Sequence, residues 1–219
     1  MKYVDRDGNK KIDLGKNTVD DPGDRYKLGN ALARLQYGFN LGFDFVGIDV
    51  NATFQGTGNH YWYPDMEFAS FWGPYARPYQ TYLPKNFLDM CWSEENPDAY
   101  FPRPRAYSAN QPKAPMGQIN DRYLQNIRYL RFKNLTVGYT LPQVWTKKIG
   151  VEKVRFYFTG ENLAYWSPLK KVTKYIDPEN AFNRGDKVVA NRSTVDRNSD
   201  NSGLYPWQKT YMFGIDITF

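Results

Sequence analysis

Asp5, Asp7, Asn9 and Asp13 stand at positions 1, 3, 5 and 9 of a calcium-loop spacing, with the Lys11 carbonyl at position 7. Hard oxygen donors at such intervals can wrap one Ca²⁺. Two residues depart from that pattern: Lys10 stands where the loop wants glycine, and Lys16 where it wants an acidic ligand. Calcium is the candidate ion, and a solvated turn is the plain alternative. A second group is aromatic. Tyr61, Trp62, Tyr63, Phe68, Phe71, Trp72, Tyr75, Tyr79 and Tyr82 crowd one segment, and flat rings stack on sugars or on apolar peptide side chains. Tyr61, Trp62, Tyr63, Phe71, Trp72 and Tyr75 lead as ligand contacts, against a reading in which the rings only pack on one another. Cys91 and His60 share the same segment, but no nucleophile elbow or phosphate-binding glycine loop supports them. The expectation is therefore no enzyme.

Composition bounds the elements that must carry these groups. The chain has 219 residues; Lys plus Arg is 29 and Asp plus Glu 23, so the net charge is 29 − 23 = +6. The charge is scattered, which argues against a nucleic-acid partner. Aromatic residues make up 17% while mean hydropathy is −0.71, so the apolar content sits in large amphipathic rings. A lone cysteine excludes an internal disulfide framework. No run approaches the roughly 18 to 20 apolar residues of a membrane helix. Strands of a membrane barrel escape that criterion, because they alternate.

Alternation is what the chain shows. Leu35, Tyr37, Phe39, Leu41, Phe43 and Phe45 are apolar at every second position, and after Val46-Gly47 the pattern resumes in Ile48, Val50, Ala52 and Phe54. This spacing predicts a hairpin with a tight turn. Leu130 and Phe132 are apolar at even positions, then Leu135, Val137, Tyr139 and Leu141 at odd ones, so a bulge near Lys133 is expected. A fourth strand runs through Val154, Phe156 and Phe158 after a short connector at 142–150. A fifth runs through Trp207, Lys209, Tyr211, Phe213, Ile215, Ile217 and Phe219.

Connections alternate between long and brief, as in outer-membrane barrels, whose short turns lie on one rim and long loops on the other. The expected fold class is all-β: antiparallel transmembrane β-barrel strands with long extracellular loops. Residues 1–34 form an extracellular loop carrying the acidic segment, and 35–219 form the strands, with long loops at 57–122 and 164–206. Tyr37, Tyr139, Trp207 and Tyr211 suit an interfacial belt. Asp44, Asp49, Arg155, Glu161 and Asp216 fall on the polar face, where a lumen or plug keeps charge solvated or paired. Following the parity puts the C-terminus in the periplasm. Five strands cannot close a barrel, so a truncated chain is expected, and a secreted all-β carbohydrate-binding module is the alternative from another class.

Several stretches resemble a known family. Tyr3-Val-Asp-Arg-Asp-Gly-Asn-Lys-Lys-Ile-Asp13, Tyr37-Gly-Phe-Asn-Leu-Gly42, Leu130-Arg-Phe-Lys-Asn-Leu-Thr-Val-Gly-Tyr-Thr-Leu-Pro142, Gly160-Glu-Asn-Leu163 and Tyr211-Met-Phe-Gly-Ile-Asp-Ile-Thr-Phe219 are similar to the C-terminal barrel portion of SusC/RagA-type TonB-dependent outer-membrane transporters. The resemblance implies a barrel of about 22 strands with an N-terminal plug, importing oligosaccharides or peptides beneath a SusD-like lid lipoprotein. It implies the TonB complex, the barrel-assembly machinery and outer-membrane lipid as partners. In it Tyr211, Phe213, Ile215, Ile217 and Phe219 are the assembly signal.

Overall fold

The computed structural model describes residues 3–64, 68–76, 83–105, 116–181 and 207–219. Two compact units divide the chain: described residues within 1–29 and 63–124 form one, and those within 30–62, 125–195 and 203–219 the other.

Among the described residues, seven strands lie in the second unit: β1 (Gln36–Phe45), β2 (Ile48–Thr57), β3 (Tyr61–Trp62), β4 (Gln125–Asn126), β5 (Tyr129–Thr140), β6 (Lys153–Trp166) and β7 (Thr210–Thr218). The five long ones form one antiparallel sheet in the order β1-β2-β5-β6-β7, while β3 and β4 make a small ladder of their own. The strand sequence is thus a simple meander. The turn 46–47 and the connector 141–152 leave from one end of the strands, and the longer connections, after β2 and after β6, leave from the other. Within the connector, Pro142 precedes a single helical turn, α1 (Gln143–Thr146), and a 3₁₀ turn that Gly150 ends at φ 74°.

The expected tight turn is present, and its chemistry is unusual. Val46 and Gly47 both have positive φ, 48° and 83°, as the primed two-residue turns require to match strand twist. Glycine fits, because a Cβ at position 47 would lie 2.7 Å from the Thr140 carbonyl oxygen, whose own amide donates to the Gly47 carbonyl at 2.7 Å. Valine does not fit by propensity, since a β-branched residue is strained in the left-handed region. The ladders on both sides impose that conformation.

The phase slip in β5 is a bulge, as its spacing predicts. Thr53 pairs with Asn134 and Phe54 with Phe132, leaving Lys133 unpaired against β2. Across β6, Phe132 faces Ala164 and Asn134 faces Glu161, so Asn162 and Leu163 stand against that one lysine. The Gly160-Glu-Asn-Leu163 run is the device that allows this. Asn162 takes φ 51°, a conformation asparagine tolerates better than most residues, and its Nδ2 donates to the Gln208 carbonyl at 3.2 Å. Leu163 folds back over Gly160, where a Cβ would come within 2.8 Å of its side chain.

These features keep Leu130 and Phe132 on the same face as Leu135, Val137 and Tyr139, together with the alternating apolar side chains of the neighbouring strands. Rings stack across strands there: Phe39 on Phe54 at 4.9 Å, Phe54 on Phe132 at 4.6 Å, and Phe158 against Phe213 at 5.1 Å. No described residues form a second layer over this face near the sheet's edges, for Phe45 is 65% and Phe213 83% exposed. In a soluble sandwich that face is the core.

The first unit, which takes in most of the long loop expected at 57–122, has a folded core among its described residues. A short helical turn, α2 (Ala69–Trp72), runs into the 3₁₀ turn Gly73–Tyr75, and Phe68, Phe71, Trp72, Tyr75, Phe87, Phe101, Met116 and Tyr123 form a buried core. In the chain refolded in detergent, Val46→Asn is expected to raise hairpin stability by about 1 kcal/mol by relieving the strained turn, read as a higher denaturant midpoint.

Candidate functional site

The polar face of the sheet carries two charged clusters. Near the turn 46–47, Arg155 of β6 reaches across β5 to Asp49 of β2, donating from Nε at 2.8 Å and Nη2 at 2.6 Å, and from Nη1 to Asp216 of β7 at 3.1 Å. One guanidinium thus joins β2, β6 and β7 while lying across β5. The crossing needs Gly138 in β5: a Cβ there would overlap Asp49 Oδ1 and come within 2.6 Å of Arg155 Nε. Gly214 serves likewise for Tyr157, whose ring lies against it and 5.0 Å from the Arg155 guanidinium carbon. Asp44 pairs in register with Asp49, and Glu161 lies beside the bulge. The polar-face charges expected from alternation are therefore brought together in part: Asp49, Arg155 and Asp216 form one network.

Toward the other end of the strands lies Arg131 of β5, 2% exposed. Its Nη2 meets Asp177 Oδ1 at 2.5 Å and its Nε lies 3.4 Å from Glu179 Oε1. Tyr165 and Tyr129 flank the guanidinium with ring centroids at 5.1 and 5.8 Å. Spacing along the sequence could not single out this arginine, because its partners follow 46 and 48 residues later in a polar segment.

The six aromatic ligand candidates do not make one patch. Tyr61 and Trp62 form β3 in the sheet unit, whereas Tyr63, Phe71, Trp72 and Tyr75 belong to the other. Within that other unit the rings turn on one another. Trp72 meets Phe71 edge-on at 4.9 Å and Tyr123 at 5.3 Å, and Tyr75 lies 5.8 Å from Phe101. Trp72 and Tyr75 have no exposure at all, and Phe71 only 5%, so packing occupies the faces that stacking on a ligand would need. Burial pushes the Tyr63 and Tyr75 hydroxyls well above the usual phenol range. The Tyr63 hydroxyl lies 2.8 Å from the carbonyls of Met116 and Gln118 and accepts from Asn120 Nδ2 at 2.9 Å, while that of Tyr75 donates to the Pro102 carbonyl. Tyr79 and Tyr82 lie outside the described residues.

Cys91 is sealed in the same core, with Sγ donating to the Phe87 carbonyl at 3.3 Å and burial raising its thiol. A neutral buried thiol is inert. His60, in the sheet unit, has Nδ1 3.0 Å from the Gly58 carbonyl oxygen.

The acidic turn is organised by amides. Asp5 accepts from Gly8 and Lys10 N–H, each at 2.7 Å, and Asp7 from Asn9 at 2.9 Å. Lys10 adopts φ 64°, the conformation for which glycine is expected at that place. Three carboxylates converge with oxygens within 4.8 Å of one another: Asp5, Asp7 and Asp24. Asp13 does not join them; its carboxylate accepts from Gly15 at 2.8 Å, and its amide donates to Asp24. The amides of Arg6 and then Asp13 hold Asp24 below the usual carboxylate range. Asn9 Oδ1 accepts from the Lys11 amide at 2.7 Å.

On β7, an edge strand among the described residues, Tyr211, Phe213, Ile215 and Ile217 all project from the apolar face, and Phe219 is 88% exposed just beyond its end.

No family model matches the chain. Two receptors of Formosa agariphila align with it: TonB-dependent receptor P3, 27% identical over 99% of this chain and 19% of its own length, and TonB-dependent receptor P26, 28% identical over 90% and 18%. The chain resembles part of a TonB-dependent receptor. It spans about one fifth of the curated TonB-dependent receptors it matches. Solved structures of the RagAB peptide importer superpose on 92% of the chain in the open-open state and 96% in the closed-closed state, each at TM-score 0.54 with 21% and 22% identity, over 20% of the solved chain. The all-β antiparallel fold is thus that of a stretch of the RagA barrel, and these similar proteins are named as receptors and importers rather than enzymes.

Gly138→Ala is expected to cost about 1 to 3 kcal/mol by overpacking its Cβ against Asp49 and the Arg155 guanidinium that crosses it. The denaturant midpoint in detergent should fall, and the penalty should shrink when Asp49→Ala has already removed the pair.

Proposed function

We propose that this chain is part of the wall of a TonB-dependent outer-membrane importer of oligosaccharides or peptides, working with a SusD-like surface lipoprotein. In this reading the apolar face meets lipid, the polar face lines the lumen or meets a plug, and the long connections are extracellular while the C-terminus is periplasmic. β7 is the strand read by the barrel-assembly machinery. The observation that carries it is the apolar face, which no described residues cover near the sheet's edges: a five-stranded sheet with rings and branched chains on one side and paired charges on the other suits two different solvents. A contiguous exposed apolar face of that kind is rare on soluble monomers. The likeness to TonB-dependent receptors supports the same reading.

Spin labels test it directly. With Cys91→Ser in place, labels at Ile215→Cys and Asp216→Cys in reconstituted protein are expected to separate, residue 215 relaxed by oxygen dissolved in the bilayer and residue 216 by a water-soluble nickel chelate. Equal access of the nickel chelate to both would overturn the membrane wall and favour a secreted carbohydrate-binding module.

Calcium belongs to the same proposal, at the acidic turn. The donor set fits: Asp5, Asp7 and Asp24 offer converging hard oxygens on a turn already shaped by amide donors. Asp24→Asn is expected to weaken Ca²⁺ binding by at least about tenfold through loss of a charged ligand, whereas Asp13→Asn should leave it near the parent value. Titration calorimetry of the full chain reads both.

A further inference from the structure

The residues that follow β6 fold back on the polar face as a strap. It begins with the 3₁₀ turn Pro168–Lys171, capped by Ser167 Oγ accepting from the Leu169 amide at 3.3 Å. Leu169, Ile176 and Ala181 are buried, and the amides of Asn180 and Ala181 donate to the Asp177 carbonyl at 3.0 and 3.1 Å. Among the described residues, Arg131 is the one residue of the sheet that forms ion pairs with it. Asp177 Oδ1 accepts at once from Arg131 Nη2 and from the Glu179 amide at 3.0 Å, and Glu179 Oε1 accepts from Gln55 Nε2 at 2.5 Å.

The surroundings of Arg131 hold more donors than the strap uses. Gln55 faces Arg131 and Thr57 faces Tyr129 across β2 and β5, all on the polar face, and Arg131 faces Tyr165 across β6. Arg131 Nε is buried with no hydrogen-bond partner, the Glu179 oxygen 3.4 Å away being engaged by Gln55, and Thr57 Oγ1 is likewise buried and unpartnered. Such groups normally find an acceptor. A guanidinium flanked by two tyrosine rings, whose Nε makes no hydrogen bond, keeps one in-plane donor with the geometry that reads a carboxylate. An anchor meant only to hold a strap would do as well or better with apolar side chains, since a buried ion pair gains little over a well-packed hydrophobic replacement. What an ionic anchor adds is exchange: another carboxylate can take the place of the first.

We propose that Arg131, with Gln55, Thr57, Tyr129 and Tyr165, is a carboxylate-recognition site on the polar face, in which Asp177 and Glu179 of the strap stand where the carboxylates of an acidic solute bind. The strap is then a built-in competitor, and an acidic solute lifts it. The inference rests on the polar face being solute-facing, and it names the chemistry of the solute: a carboxylate, carried by an acidic peptide or by a uronic-acid oligosaccharide.

Hydrogen exchange of the full chain in detergent micelles tests it, with amides of 168–181 as the readout. Oligoglutamate and oligogalacturonate are the acidic probes, and oligoglutamine and a neutral galactose oligomer their controls. At least one acidic probe is expected to accelerate exchange in the strap several-fold while its neutral control does not, and the probe that acts identifies the source. Arg131→Gln should loosen the strap without any probe and abolish the response. Asp177→Asn with Glu179→Gln removes the competitor and leaves Arg131 in place, so it should bind the active acidic probe about tenfold more tightly. Equal responses to acidic and neutral probes, silence of both acidic probes, an unchanged strap in Arg131→Gln, or no gain in the double variant would each overturn the site. The spin labels on β7 read lipid contact independently of the strap, so failure here and failure of the membrane wall give different results.

Discussion

One face of the sheet carries rings and branched chains with no described second layer near its edges, and the rest of the sheet unit answers to that constraint. An apolar face that does not meet another protein layer must meet something of low polarity, while the opposite face, on the same backbone, carries Asp49, Arg155, Asp216 and Arg131. Period-two alternation makes the separation possible, but only if the register never slips. Every irregularity in the strands therefore has to restore the phase it disturbs. The paired bulges do so: Lys133 adds a residue to β5, and Asn162 with Leu163 adds a matching excursion to β6, after which Leu135, Val137 and Tyr139 rejoin the face of Leu130 and Phe132.

Glycine is what allows the polar face to be closely built. Charges on neighbouring strands usually pair with the strand beside them, yet Arg155 pairs with a carboxylate beyond β5, and it does so by lying flat over Gly138. The pair is partly open to solvent, with side chains 21% and 27% exposed, so its contribution in energy is small; its consequence is geometric, because one bidentate contact fixes β2, β5 and β6 in register. Gly214 beneath Tyr157 repeats the arrangement one strand further on. A face made this way has low relief and carries its charges along the surface rather than out from it.

How much of this was legible in the sequence follows from the range of each interaction. Strands, the 46–47 turn and the bulge were legible because alternation and turn chemistry act over neighbouring residues, and Lys133 betrays itself by the parity change from Phe132 to Leu135. The acidic turn was legible only as far as Asn9. Asp24, which completes the carboxylate trio, lies 11 residues beyond Asp13 and enters through backbone contacts that no spacing rule encodes. Arg131 stayed hidden for the same reason: nothing local distinguishes a buried arginine on a strand from a solvated one until the strap carrying Asp177 is folded over it. The aromatic segment gave its composition but not its orientation, since ring content alone does not tell a stacking platform from a core.

That aromatic core explains how so long an excursion is compatible with an ordered chain. Loop closure costs rise only slowly with length, but each ordered residue costs conformational entropy, so a connection without its own contacts would not hold one shape. The described residues within 63–124 meet that cost by burying large rings: Trp72 alone packs against Phe71, Phe101, Tyr123 and Tyr63, and burying a large apolar side chain contributes roughly 1.5 to 3 kcal/mol. The buried hydroxyls of Tyr63 and Tyr75 end on backbone carbonyls, so the rings stitch separate stretches of chain together as well as excluding water. Rings committed to this work cannot also lie open to a ligand. Even Arg122, a polar side chain at the margin of this core, is turned inward, its guanidinium donating to the Tyr100 and Ala99 carbonyls.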